Sequence, residues 1–172
     1  MVALRSACVR CLWLCLLAPV LMGQQNCGRF PIPGGNGVTP AVAALELSVF
    51  HMINQERQGA GLAPLTMDES IRGVARAHSE DMRDRSFFSH VNPDGLGPDA
   101  RLTAAGIIWH GVAENIALNQ GMSNPDVTAV QQWLGSPGHA ANIFGPSYTR
   151  TGVGVAIAAD GTHYFTQVFV SP

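Results

Sequence analysis

The sequence predicts an α+β fold, a three-layer α-β-α sandwich with a small antiparallel sheet between helices. Two observations carry this. The C-terminal stretch reads as a hairpin whose two faces are both substantially apolar, so each face needs a cover. Upstream segments carry the apolar spacing of helices and can supply one. The composition agrees, since 47% hydrophobic and 13% charged residues in 172 suit one globular domain with a core.

Residues 1–23 are a different material. Arg5 and Arg10 precede a 13-residue apolar block, Cys11 to Gly23. That block is shorter than the about 20 residues a membrane-spanning helix needs, and it reads as a secretory signal peptide cleaved after Gly23. An uncleaved anchor is the alternative. Cys8, Cys11 and Cys15 leave with the signal, so Cys27 remains without an intramolecular disulfide partner. Residues 24–42, rich in Gly and Pro, read as a linker, and residues 43–172 as the domain.

Within the domain, Leu45, Leu47, Val49, Phe50, Met52 and Ile53 give a first helix over Ala43–Arg57 a broad apolar surface, ended by Gly59-Ala60-Gly61. Thr66 and Glu69 have capping-box spacing and open a second helix. In it Ile71, Val74, Ala75, His78 and Met82 share one face. Asn92-Pro93-Asp94-Gly95 is a type I turn. Asp99–Ala105 forms a short helix closed by Gly106, and Val112–Leu118 a strand. Asn124-Pro125 and Ser136-Pro137 are N-cap and N1 pairs opening two further helices. Asp160-Gly161, taken as a two-residue turn, sets the hairpin register. Ala156 then faces Phe165, Gly154 faces Gln167 and Gly152 faces Phe169.

All ten basic residues are arginines. Without Arg5 and Arg10, eight bases stand against twelve acids, a net charge of −4. No clustered basic face suggests nucleic acid, and no stable membrane span remains after signal cleavage. A phosphate-binding glycine loop, HExxH, a surviving CxxC and a G-x-S-x-G elbow are likewise missing from the sequence.

Glu114 interrupts the apolar run Val112 to Leu118, where an unpaired carboxylate is costly. His90 and His139 also interrupt or end apolar elements near turn signals. A carboxylate beside two imidazoles balances its charge, and the three together can act as a metal or acid-base set. A satisfied polar contact in the core is the competing reading. His78 reads as a core histidine bonded to backbone, and His51, His110 and His163 as uninformative. Ser136 and Ser89 read as capping or turn residues.

Taken in order, INQERQGAGLAPLTMDESI, AHSEDM, FFSHVNPDG, AENIA, VQQWLGSPGHAANI, TGVGVAI and YFTQVF resemble the CAP superfamily, also called the SCP domain. That superfamily comprises cysteine-rich secretory, antigen 5 and pathogenesis-related 1 proteins. The resemblance is greatest to its disulfide-free bacterial branch and covers about Leu45 to Phe169. It implies an α-β-α sandwich, an extracellular or cell-envelope location and a cleft with two histidines and two glutamates. In some members that cleft holds a divalent metal such as zinc. By motif, FSH places the first histidine at His90 and AENIA the first glutamate at Glu114. The second glutamate falls on Ser136 and the second histidine on Tyr164. His163 is one residue off, hence on the opposite face. The bacterial SxGH pattern supplies His139 instead. The implied cleft is therefore His90, Glu114, His139, Ser136, Tyr164 and Gln167, with His90, His139 and Glu114 as metal ligands.

Two functions follow from this. One is a secreted, non-enzymatic binding module for a lipid or cell-envelope ligand, with or without a metal. The other is a hydrolase in which Glu114, His90 and His139 hold a zinc-bound water or act in acid-base catalysis. A polar triad serving structure alone is a third reading.

Overall fold

The computed structural model describes residues 38–171. The expected signal, Cys27 and most of the expected linker lie outside the described residues. Helix α1 spans Pro40–Gly59, with Thr39 accepting the Val42 N–H as N-cap. It starts three residues before the expected Ala43, because Pro40 at its first position is pre-set for helix and needs no amide partner. Its buried stripe is Glu46, Val49, Ile53 and Arg57, so half of it is charged.

Thr66 does not cap the second helix. Thr66–Met67 forms strand β1, and helix α2, Glu69–Asp84, starts from Asp68. The Thr66 and Asp68 amides are drawn into a ladder with the Thr149 and Thr151 carbonyls. Asp68 Oδ1 then accepts from Ser70 and Ile71, which caps the helix two residues later than expected. Helix α3 is Pro98–Ala104 and strand β2 is Gly111–Asn119. Helices α4, Pro125–Leu134, and α5, Pro137–Ile143, start where Asn124 and Ser136 predict, yet neither side chain makes a cap hydrogen bond. Strands β3, Arg150–Ile157, and β4, His163–Ser171, complete the described elements.

Among the described residues the sheet has four strands in the order β1-β3-β4-β2. β1 runs parallel to β3, and the other pairs are antiparallel. The hairpin register differs from the expected one by a residue. Val155 pairs with Phe165, Gly154 with Thr166 and Gly152 with Val168. The cause is the turn, since Ala158 N–H donates to Thr162 O and Gly161 N–H to Ala158 O. This closes a three-residue loop with Gly161 at φ 83°. That is a type I turn followed by a left-handed glycine, and not a two-residue turn.

The register sorts the side chains into two layers. Val153, Val155, Phe165, Phe169 and Ala117 pack on α1, α4 and the end of α5 through Val49, Ile53, Trp133 and Ile143. On the other face Val168 and Val170 meet Ile71 and Ala75 of α2 and Leu102 of α3. The expected sandwich is therefore present. Gly152 and Gly154 bring the sheet against α2, since a Cβ at either would lie 2.2 Å from the Arg72 nitrogen or 2.1 Å from the Arg76 nitrogen.

Two buried charges lock the layers. Glu46 accepts from Arg72 and Arg76 of α2 and from the Val155 amide on the β3 edge beyond the short β1. Arg57 donates to the carbonyls of Ala63, Ile143, Gly145 and Tyr148, tying the end of α5 to α1. Gly154→Ala should lose about 3 kcal/mol of stability in a urea titration, because helix backbone cannot yield to the new methyl. Gly73→Ala, on α2 with nothing within 4 Å, should gain about 0.5–1 kcal/mol. Equal effects would mean the close approach is not a constraint.

Candidate ligand-binding site

β2 is an edge strand, and pairing with Val168 turns Glu114 toward the α2 layer. Its side chain is 1% exposed. Glu114 Oε1 accepts Nδ1–H of His90 at 2.9 Å, and Oε2 accepts Nη2–H of Arg101 at 2.5 Å. Nη1 of the same arginine donates to the carbonyls of His90 and Leu96, each at 2.9 Å. Arg101 therefore neutralises the carboxylate and also holds the loop that carries the histidine. Removing one member of such a buried pair typically costs about 3–5 kcal/mol.

The loop is further set by Asn92, whose Oδ1 accepts from Asp94 and Leu96 and whose Nδ2 donates to Asp81. Gly95 at φ 81° closes the expected turn by donating to the Asn92 carbonyl. His90 is 47% exposed at its side chain. Because a carboxylate only accepts, Nδ1 carries a proton, and in the neutral ring Nε2 is then the accepting nitrogen.

His78 lies fully buried on α2, with Nε2 3.0 Å from the Ser89 carbonyl and 3.9 Å from Glu114 Oε1. It is the backbone-bonded core histidine the sequence predicts, and it also borders the carboxylate. Burial lowers its pKa, the negative Glu114 opposes that shift and Arg101 adds to it. His139, half-buried on α5, is lowered too, first by burial and then by the charge of His90. Both rings are thus biased toward the neutral form at pH 7.

The structure joins His90 to Glu114 directly, and it ties the turn of α5 that carries His139 to the next residue of β2, Asn115. The other expected members are placed as follows. Ser136 precedes α5, with its amide bonded to the Trp133 carbonyl. Tyr164 pairs with Leu118 and Ala156, four strand residues from Val168 and so roughly 13 Å along β4 from the level of Glu114. Gln167 pairs with Asn115 on the opposite face, is fully buried and donates to Thr151. It does not line the cleft, because odd and even positions of β4 face different layers. His163 bonds the Gly161 carbonyl and stacks on Phe165, away from the site.

The donors do not fit a zinc centre of two histidines and one glutamate. Glu114 spends its oxygens on His90 and Arg101 and sits behind the imidazole. Among the described residues no three His, Cys, Asp or Glu side chains are grouped to hold a metal ion. Arg101 is the functional residue that sequence reasoning missed. Its signal was indirect: a buried carboxylate in a chain without lysine needs an arginine, and one lies 13 residues upstream.

A pH dependence follows. The folded pKa values of His78 and His139 lie below the ordinary 6.5, so the unfolded chain takes up these protons first. Their contribution to stability is complete above about pH 6.5 and is lost as pH falls below it. The urea midpoint should therefore drop between pH 7 and 5. His78→Gln, which keeps an N–H donor for Ser89, should flatten that profile, and an unchanged slope would contradict the assignment.

Comparison with known proteins agrees with this architecture. The family model described as the cysteine-rich secretory protein family, CAP, matches residues 50–169. The uncharacterized protein YkwD of Bacillus subtilis (strain 168) is 37% identical over 130 residues, which cover 76% of this chain and 48% of that protein. The chain thus spans about half the length of that curated relative. An extracellular protein containing an SCP domain from Bacillus anthracis superposes with a TM-score of 0.68 at 30% identity, over 78% of this chain and 44% of the other. An outer surface protein of Borrelia burgdorferi gives a TM-score of 0.67 at 20% identity, over 74% of this chain and 92% of the other. On the family match and the shared fold, this chain belongs to the cysteine-rich secretory protein (CAP) family.

Proposed function

We propose that the chain is an exported CAP domain that binds a hydroxyl-bearing amphiphile, a lipid or cell-envelope component, at the His90 loop. The observation that carries this is the His90 ring, held through Nδ1 by Glu114 and 47% exposed, on a loop that also exposes apolar side chains. Phe88, Val91 and Leu96 are 49%, 51% and 41% exposed. Exposed apolar side chains beside a positioned polar group suit a ligand with an apolar body and one donor group. Nε2 accepts from the ligand hydroxyl, and the neutral Arg101–Glu114 pair adds no net charge to repel or attract an ionic head group. Export is supported by the N-terminal sequence pattern and by the surface location of similar proteins.

The same dyad supports a second reading, a hydrolase in which Nε2 of His90 takes a proton from water. The two are separated by one set of measurements. Purified protein should retain monoacylglycerol or envelope glycolipid, without hydrolysing it, through gel filtration followed by mass spectrometry. His90→Ala and Phe88→Ser should each weaken binding about tenfold in calorimetry, about 1.4 kcal/mol. Failure to retain any fatty acid, glycerolipid or envelope glycolipid would overturn the binding reading. Turnover of an ester or amide that is lost in His90→Ala would establish the other.

A further inference from the structure

Glu114 and Asn115 are consecutive in β2, so their side chains leave opposite faces of the sheet. Glu114 holds the His90 loop. On the other face the buried Asn115 donates from Nδ2 to the carbonyl of His139 at 3.1 Å. Its Oδ1 accepts from Nδ2 of Asn142, one turn further along α5, at 2.9 Å, and that same nitrogen reaches the Glu114 carbonyl at 3.3 Å. Helix α5 has seven residues and no side-chain N-cap. A helix that short does not hold its own geometry, so contacts outside it decide where His139 points. Arg57 fixes its far end through the Ile143 carbonyl. Asn115 and Asn142 fix the turn that carries the histidine.

We propose that Asn115, acting with Asn142, is a positioning residue that fixes the α5 turn carrying His139 against the strand that holds His90, and so couples the two imidazoles. β2 then works as a two-sided clip, holding one histidine through the side chain of residue 114 and the other through that of residue 115. An amide is needed at position 115 because it must donate to one backbone oxygen and accept from one side chain at once. Aspartate lacks the donor, and an aliphatic residue lacks both functions. This inference rests on reading His90 and His139 as one site, and its test keeps the two apart.

The test is NMR titration of the His139 ring in the full chain, with and without His90→Ala. In the wild-type background, removing His90 should raise the His139 midpoint, since a neighbouring charge has gone. In Asn115→Val and in Asn142→Ala, the same removal should leave the midpoint unmoved, while the fold persists by circular dichroism. Coupling that survives in both variants overturns the positioning role. If Asn115→Val does not fold, Asn142→Ala decides. If neither folds, the amides serve the whole domain and the specific role is likewise overturned. A wild-type midpoint that ignores His90→Ala sinks the shared-site reading itself, independently of the clip.

Discussion

The buried ion pair between Glu114 and Arg101 is the interaction on which the site depends. A carboxylate buried in an apolar strand would be driven to protonate or to unfold its surroundings, unless a cation lay against it. Arg101 supplies that cation from α3, and its Nη1 donates to the carbonyls of His90 and Leu96. Charge compensation and loop placement are thus the same act. The geometry of His90, with Nδ1–H donated to Glu114, follows from the pair behind it.

Much of this was legible in the sequence, though unevenly. The hairpin and the Asn-Pro and Ser-Pro helix starts followed from patterns whose physics is local, whereas the pairing of His90 with Glu114 followed from the family motifs. The misplaced start of α2 has a specific cause. Thr66 has capping chemistry, but its amide had a better partner in a strand more than 80 residues away. The one-residue slip of the hairpin came from reading Asp-Gly as a two-residue turn, when Gly161 serves instead as the left-handed residue of a longer loop. Arg101 was hidden because an arginine on a short helix ordinarily points to water. Only the tertiary position of β2 turns it inward.

The same logic recurs elsewhere in the molecule. Glu46 lies in an apolar stripe of α1, yet two arginines one turn apart on α2 close over it, and it satisfies a strand amide that β1 is too short to reach. Arg57 binds four carbonyls at the α5 end of the core. A domain whose described residues rely on no disulfide gains its specificity from such buried, fully partnered charges, which disfavour alternative packings. The family resemblance identified the histidine and glutamate positions but implied a second carboxylate. Arg101 against the carboxylate shifts the chemistry from metal holding toward an oriented imidazole.

The most direct test of this account is the tautomer of His90, read from the nitrogen-15 shifts of its ring in mildly alkaline buffer. The account requires the proton on Nδ1 in the native protein, donated to Glu114, and a return toward the Nε2–H form favoured by free histidine when Glu114 is replaced by alanine. A native ring protonated mainly on Nε2 would mean that Glu114 does not orient it, and the proposed site would lose its organising bond.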